Sequence, residues 1–271
     1  MNGIVYLTYN SSEQIKNNFN KLVTNLSEPT KLKIIDNASV DDSADILSNA
    51  GYEVIRNEEN NGFSAGINQG ISDLIVNGVD GWVFIVNPDV VCGDRWDAEL
   101  SKLSQNNEKC GIIGATLLDR FGKIVHSGGI IRDTPVLLRW PVLYPIGNGL
   151  HVVSNDGLHT TYFVHDDGRY AEPRKCYWVT FAVAALNVKM INDIGLLDEK
   201  YFLYSSDSSY CMRAWQAGWE VWCSNTEFTH HTSSSLHTAP KETQDKLYED
   251  TALFVHEEEP TWRRLQADIS L

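Results

Sequence analysis

Apolar and polar positions along this chain fall in blocks. From Gly3 to Val91, short continuous apolar runs recur, each followed by a polar loop and then by a stretch with helical spacing. Gly3 to Tyr9 (GIVYLTY) and Trp82 to Val86 have the length and content of buried strands, and Lys31 to Ile35 and Tyr52 to Arg56 read as the second and third strands. Between them, Asn10-Ser11-Ser12-Glu13 caps a helix to about Leu26, and Asp41-Asp42 open another that reaches about Asn49. Gly62-Phe63-Ser64-Ala65-Gly66 leads into a third, from about Ile67 to Val76. Strands alternating with helices at this spacing predict βαβ units: an α/β fold with a mostly parallel sheet and helices on both faces.

The second half has a weaker rhythm. Gly111 to Leu118 predicts a strand, with Asp119 to Lys123 as a hairpin turn before Ile124 and Val125. Gly128 to Pro173 shows no steady period and is rich in aromatics, glycine and proline, which predicts a long irregular insertion of the kind functional loops use. Trp140 within it is a candidate to stack on a bound ligand. Cys176 to Val188 predicts an apolar strand, Met190 to Ile194 a short helix, Ser208 to Gly218 a helix, and Glu220 to Ser224 a last strand. Lys241 to Leu271 predicts a partly helical tail without an assignable role.

Candidate chemistry gathers where strands stop. The run Trp82 to Val86 ends at Asn87-Pro88-Asp89, so a carboxylate stands at the carboxyl end of a core strand, where open α/β sheets place their ligands. Thr8-Tyr9-Asn10 and Asp36-Asn37-Ala38-Ser39 end neighbouring strands and would converge on the same sheet edge. Such side chains suit a base edge or a ribose, and Asp36 suits an imide N–H. Gly62 and Gly66, flanking Phe63 and Ala65, allow close backbone approach to a ligand. Neither GxGxxG nor GxxxxGK[ST] occurs, which removes the usual support for a dehydrogenase or a P-loop enzyme. No GxSxG elbow marks a serine hydrolase.

Composition narrows the partners. The 271 residues are 42% hydrophobic and 21% charged, ordinary for a globular protein, with a formal net charge of −14. That balance argues against a nucleic-acid partner, because neutralising a polyanion needs clustered Lys and Arg. It also suggests that phosphate is held locally, through a metal. Strand-like sequence from Gly3 leaves no room for a signal peptide, and no apolar run approaches the ~18 residues of a membrane span. A cytoplasmic location is therefore expected. The five cysteines lack CxxC spacing and fit reduced thiols.

The segments VYLTYNSSE, IIDNASVDDS, NNGFSAGINQGI, FIVNPDV, YWVTFAVAALNV, FLYSSDSSYCMRAWQAGW and FTHHTSSS, in this order, resemble the rhamnosyltransferase-like branch of family 2 glycosyltransferases over about residues 3 to 235. The resemblance implies one GT-A domain over residues 1–271. About 1–91 would form a nucleotide-sugar half and about 92–235 an acceptor half, followed by the tail. It implies inverting transfer of a sugar from a UDP, dTDP or GDP donor to a glycan or other hydroxyl acceptor, with Mn²⁺ or Mg²⁺. It places Thr8, Tyr9, Asp36 and Asn68 around the nucleotide and Asn87-Pro88-Asp89 at the family's metal-binding DxD position, with Asn87 in place of the first aspartate. Asp89 is then the carboxylate ligand. His230 and His231 stand where the family has a histidine near the metal. Strand alternation lets only one of them serve, and His230 is the better placed.

Two departures bear on the chemistry. The family's Glu-Asp pair before the acceptor-side helix is Ser206-Asp207 here, and a further acidic position is Ser209. The role of general base falls on Asp207, and the lost glutamate affects how the acceptor is oriented. Phe181 replaces a glycine of relatives and would narrow the acceptor site. The alternative from another class is a glycan-binding or scaffolding module with a decayed transferase site, since fold alone does not establish catalysis.

Overall fold

A computed structural model describes residues 1–134, 150–155, 160–164, 171–231 and 241–269. The first part runs β1 (Gly3–Thr8), α1 (Ser12–Thr24), β2 (Lys31–Asp36), α2 (Ser43–Asn49), β3 (Val54–Arg56), α3 (Gly62–Val76), β4 (Trp82–Val86), β5 (Val90–Val91) and α4 (Trp96–Ser101). It continues through β6 (Cys110–Leu118), β7 (Ile124–His126), β8 (Ile130–Thr134), β9 (Leu150–Asn155), β10 (Thr160–Val164) and β11 (Arg174–Lys175). Then come β12 (Val183–Asn187), α5 (Val188–Ile194), α6 (Ser206–Gln216), β13 (Glu220–His230) and α7 (Lys241–Asp268).

One sheet carries the molecule, in the order β11-β13-β6-β12-β4-β1-β2-β3, with β5 added to β13 and β7 to β6. β4, β1, β2 and β3 are parallel, as the βαβ spacing predicts. β12 then runs antiparallel between β4 and β6, and β13 is parallel to β6. The ladder is therefore mixed in its second half.

Period-two alternation divides each central strand between two cores. Val83 and Ile85 of β4, Val5 of β1 and Ala184 and Leu186 of β12 face Ile67, Ile71 and Leu74 of α3 together with α5 and α6. Phe84 and Val86, Ile4 and Tyr6, and Val183 and Ala185 face Phe19 and Leu22 of α1 and Trp96 of α4. Rings meet edge-on there, with Trp96 centroids 5.2 Å from Phe84 and 6.3 Å from Phe228, geometries that add to simple burial. Gly66 and Gly70, one turn apart on α3, let that helix lie directly on β1. A Cβ at either would come within 2.5 Å of Leu7 or Val5 side chains.

Several expected boundaries move. α3 begins at Gly62 itself, so the glycine segment is the first turn of the helix and not a loop before it. The apolar run from Cys176 yields a strand only from Val183; of the residues before it, Thr180 to Ala182 line a cleft. The last strand continues past Ser224 to His230, with a register shift between Cys223 and Glu227. The stretch expected to be irregular contains a three-stranded antiparallel sheet, β8-β10-β9. Trp140 lies outside the described residues. The tail is one long helix, α7, which buries Phe254, Asp250 and Glu258. All five cysteines are buried free thiols. Among the described residues no helix is long and apolar enough to cross a membrane.

Candidate active site

The carboxyl ends of β1, β2 and β4 and the loop before α6 enclose a cleft of about 690 Å³. Tyr9, Asn10, Asn37, Gly62, Phe63, Asn87, Asp89 and His230 line one part, and Phe181, Ser206 and Asp207 another.

The loops that follow β1 and β2 brace one another. Asn10 and Ala38 both have positive φ, 49° and 63°, a backbone region that costs free energy unless the surroundings hold it. They are held: the Asn10 N–H donates to Ser39 Oγ at 2.9 Å, and Asn10 Oδ1 accepts from the Val40 N–H at 2.9 Å. Ser39 in turn satisfies both oxygens of the buried Asp36 carboxylate, through Oγ at 2.6 Å and its N–H at 3.0 Å. Asn37 donates to Asn60 Oδ1 and to the Gly62 carbonyl, tying the β2 loop to the start of α3.

Gly62 joins the two halves. Its φ of +88° and its contact with the loop before α6 both require glycine, since a Cβ would lie 2.4 Å from the Phe202 carbonyl oxygen. That same oxygen accepts the Phe63 N–H.

The Asn87-Pro88-Asp89 turn is fixed from three sides. The Asn87 N–H donates to the Ala182 carbonyl at 2.9 Å, Asn18 donates to the Pro88 carbonyl at 2.9 Å, and the His231 N–H donates to the Asp89 carbonyl at 2.8 Å. The half-buried side chains of Asp89 and His230 then meet, Oδ2 to Nε2, at 3.1 Å. Beneath them the buried His126 is kept neutral, its pKa pushed down to about 3 by burial and by the nearby Arg174 and His230. Its Nε2 accepts the N–H of Thr180, a residue of the cleft wall.

Asp207 sits in the first turn of α6, which starts at Ser206, two residues earlier than the spacing predicts. Ser205 precedes it at φ +61° and contributes no side-chain cap. The Asp207 carboxyl is pushed up to about 6 by removal from water, against the opposing pull of the N–H groups of Ser208 and Phe181. A carboxylate near that value is a competent proton acceptor at neutral pH. Phe181 packs edge-on against Tyr210 at 6.1 Å and narrows the cleft beside it.

Some expected residues lie elsewhere. Strand alternation turns Thr8 away from Leu7 and Tyr9 and buries it at the end of β1, outside the cleft lining. Asp36 is committed to its own loop and also stands outside that lining. Because α3 begins at Gly62, Ala65 and Asn68 fall on turns that face a separate small hollow. There Asn68 exchanges hydrogen bonds with the backbone of Leu197 and donates to Glu199. His231 is exposed, as the opposite-face neighbour of His230 must be.

Sequence reasoning missed the contribution of α7. Asp250 accepts three consecutive N–H groups, from Phe202 at 3.0 Å and from Leu203 and Tyr204 at 2.8 Å each. Glu258 accepts Tyr201 Oη at 2.6 Å and Ser209 Oγ at 2.8 Å, so a carboxylate from the tail stands beside the position where Ser209 replaces an acidic residue. A lone acidic residue in an acidic helix carries no sequence signal for such a bond, because its partners are backbone groups far away in the chain.

Comparison with known proteins agrees with this architecture. Residues 4–131 match the model of glycosyl transferase family 2. An N-acetylglucosaminyl-diphospho-decaprenol L-rhamnosyltransferase of Mycobacterium tuberculosis is 23% identical over 96% of this chain and 86% of its own. Among solved structures, GalNAc-T7 with UDP, GalNAc and Mn²⁺ is similar at a TM-score of 0.59 and 13% identity, over 85% of this chain and 44% of that one. The mannosyltransferase PcManGT of Pyrobaculum calidifontis, in complex with GDP-Man and Mn²⁺, is similar at 0.55 and 12%, over 98% of this chain and 73% of that one. With a mixed α/β sheet of GT-A type, a family 2 match over residues 4–131 and a sequence similar to a rhamnosyltransferase over nearly its whole length, the chain is a glycosyltransferase that uses nucleotide-sugar donors.

Proposed function

We propose that this glycosyltransferase works by direct displacement with inversion, Asp207 removing the proton of an acceptor hydroxyl while the nucleoside diphosphate leaves from the opposite side. The observation that carries this reading is the shared cleft: Asp89 and His230 line one wall, Asp207 another, and both walls belong to one continuous sheet and its loops. A single desolvated carboxylate is what one-step inversion asks for, because the base acts once and is restored by solvent. Phe181 and Ser206 would border the acceptor beside it, and Tyr9, 49% exposed at the cleft mouth, offers a face for the base to stack on. Asp36 acts by holding the loop of Asn10 and Asn37 in place.

Asp89 and His230 suit a divalent cation, Mn²⁺ or Mg²⁺. Their donor atoms already converge, Asp89 Oδ2 lying 3.1 Å from His230 Nε2. Among the described residues no group of three His, Cys, Asp or Glu side chains converges, which suits a hard ion that draws its remaining ligands from phosphate oxygens and water. Bound there, such an ion supplies Lewis-acid stabilisation of the diphosphate. The three braces on the turn, the Asn87–Ala182 hydrogen bond among them, keep Asp89 oriented for that role. Residues 1–91 serve as the nucleotide-sugar half and 92–235 as the acceptor half.

The test is release of nucleoside diphosphate from a panel of UDP-, dTDP- and GDP-sugars with Mn²⁺, alongside a thermal-shift screen of the free nucleotides, since a bound ligand raises stability by mass action. Release or stabilisation with one base class is the expected result. No response to any nucleotide, with or without metal, would overturn the reading.

A further inference from the structure

Helix α7 does more than cover the core, because one of its faces reaches the cleft. The three hydrogen bonds from Phe202, Leu203 and Tyr204 to the buried Asp250 pin this part of the helix to the loop before α6. Lys246 lies one helical turn earlier, on the same face as Asp250. Its ammonium group stands 5.3 Å from the centroid of the Phe202 ring and 2.8 Å from Glu249 Oε2, and its side chain lines the cleft. Among the described residues that line the cleft, Lys246 is the one lysine or arginine; the carboxylates of Asp89 and Asp207 line it too.

A nucleoside diphosphate entering that cleft brings two or more negative charges towards two aspartates, in a chain whose formal net charge is already −14. Like charges at close range repel strongly once water is displaced, so the site needs positive charge of its own. The Glu249 partner does not remove this capacity. That pair spaces i to i+3 along the exposed side of the helix, and such pairs exchange readily with a better anion.

Resting on the reading of the cleft as a nucleotide-sugar site, we propose that Lys246, held in place by the Asp250 anchor, contacts the diphosphate of the donor and of the released nucleotide. An ammonium on a flexible stem is a good point-charge ligand for phosphate. The tail helix then belongs to the active site, and the Phe202 ring beneath Lys246 supports the stem of the side chain.

The experiment compares the wild type with Lys246→Met and Lys246→Arg. Binding is measured by calorimetry with whichever of UDP, dTDP and GDP the wild type binds, in Mn²⁺ and again in EDTA. Methionine keeps the apolar stem over Phe202 and a good helix propensity while removing the charge, so the fold is preserved, which an unchanged urea midpoint verifies. Lys246→Met is expected to weaken binding about tenfold, the usual scale for one charge-assisted hydrogen bond. Lys246→Arg is expected to stay within about threefold of the wild type, since it restores the charge. Lys246→Met binding the nucleotide as the wild type does would overturn the proposal while leaving the nucleotide site intact. Weakening in Lys246→Met without rescue in Lys246→Arg would overturn it as well, by assigning the loss to packing. Failure of the wild type to bind any of the three nucleotides would remove the nucleotide reading itself, and the inference with it.

Discussion

His230 presents its Nε2 atom 3.1 Å from Asp89 Oδ2, although the two residues lie far apart in sequence. β13 and β5 bring them together as paired neighbours, with His230 opposite Val90. The contact joins the turn that ends the nucleotide-side strands to the last strand of the sheet.

Asp89→Ala is expected to weaken nucleoside-diphosphate binding in Mn²⁺ and to change it little once the metal is chelated. His230→Ala should act in the same direction. Calorimetry in both conditions checks this. Equal loss with and without metal would mean that Asp89 touches the nucleotide directly or only shapes its loop.

Asp207→Asn keeps the acceptor oxygen for the Ser208 N–H and removes the base. Transfer is expected to slow at least ~100-fold with donor binding unchanged, the scale for losing a general base. In the wild type, kcat/KM should fall as pH drops through about 6, where the raised Asp207 carboxyl takes up its proton. Wild-type rates in the variant, or an acid limb near the ordinary carboxylate range, would sink the assignment.

The same raised carboxyl makes a stability prediction of opposite sense. Its folded pKa lies above the unfolded value, so the folded state binds the proton more tightly. Its contribution to stability is present at low pH and lost as pH rises through about 6. Asp207→Asn should therefore melt above the wild type at pH 7.5, with the gap closing below about pH 4, in thermal scans across that range. A variant that melts lower at every pH would show that the carboxylate stabilises the helix start instead.

Gly62→Ala places a methyl group 2.4 Å from the Phe202 carbonyl on a backbone with φ +88°. Strain of this kind costs about 2 kcal/mol or more. Urea unfolding should show that loss together with weakened nucleotide binding, because Asn37 bonds to the Gly62 carbonyl within the cleft. Full stability in the variant would mean that the loop before α6 can retreat.

Asp250→Ala strands three N–H groups of the loop that walls the cleft. A loss of roughly 3 kcal/mol is expected, given what bonds to charged acceptors are worth and what an unpaired buried donor costs. Chemical denaturation measures it. A loss below about 1 kcal/mol would show that water replaces the carboxylate.

The parallel half was legible in the sequence because its central strands β1 and β4 are apolar runs and its helices are periodic. Trp82 to Val86 and the turn at Asn87 stand where the apolar pattern stops. The second half was harder to read, because Cys176 to Val188 is apolar throughout whether it pairs in the sheet or lines a wall, and periodicity cannot separate the two. A carboxylate at a strand end, such as Asp36, has the same sequence signature whether it faces a ligand or a serine three residues on; here it bonds Ser39. Asn68 and Ala65 lie on α3 and line a separate hollow. Asp250 and Lys246 gave no signal at all, since their importance is created by where α7 lies.

The antiparallel insertion of β12 between β4 and β6 has a consequence for how the enzyme comes into being. Val83 pairs with Leu186, and the Asn87 N–H finds its acceptor on Ala182, so the central strands lack a neighbour until more than half of the chain has been made. On the ribosome, the amino-terminal βαβ units can collapse early, but the wall that carries Asp207 and the strand that delivers His230 close only when synthesis is nearly finished. Such long-range closure is slow and leaves strand edges waiting. A fragment ending near residue 131, the limit of the family match, would be an unfinished sheet without Asp207 or the histidine beside Asp89.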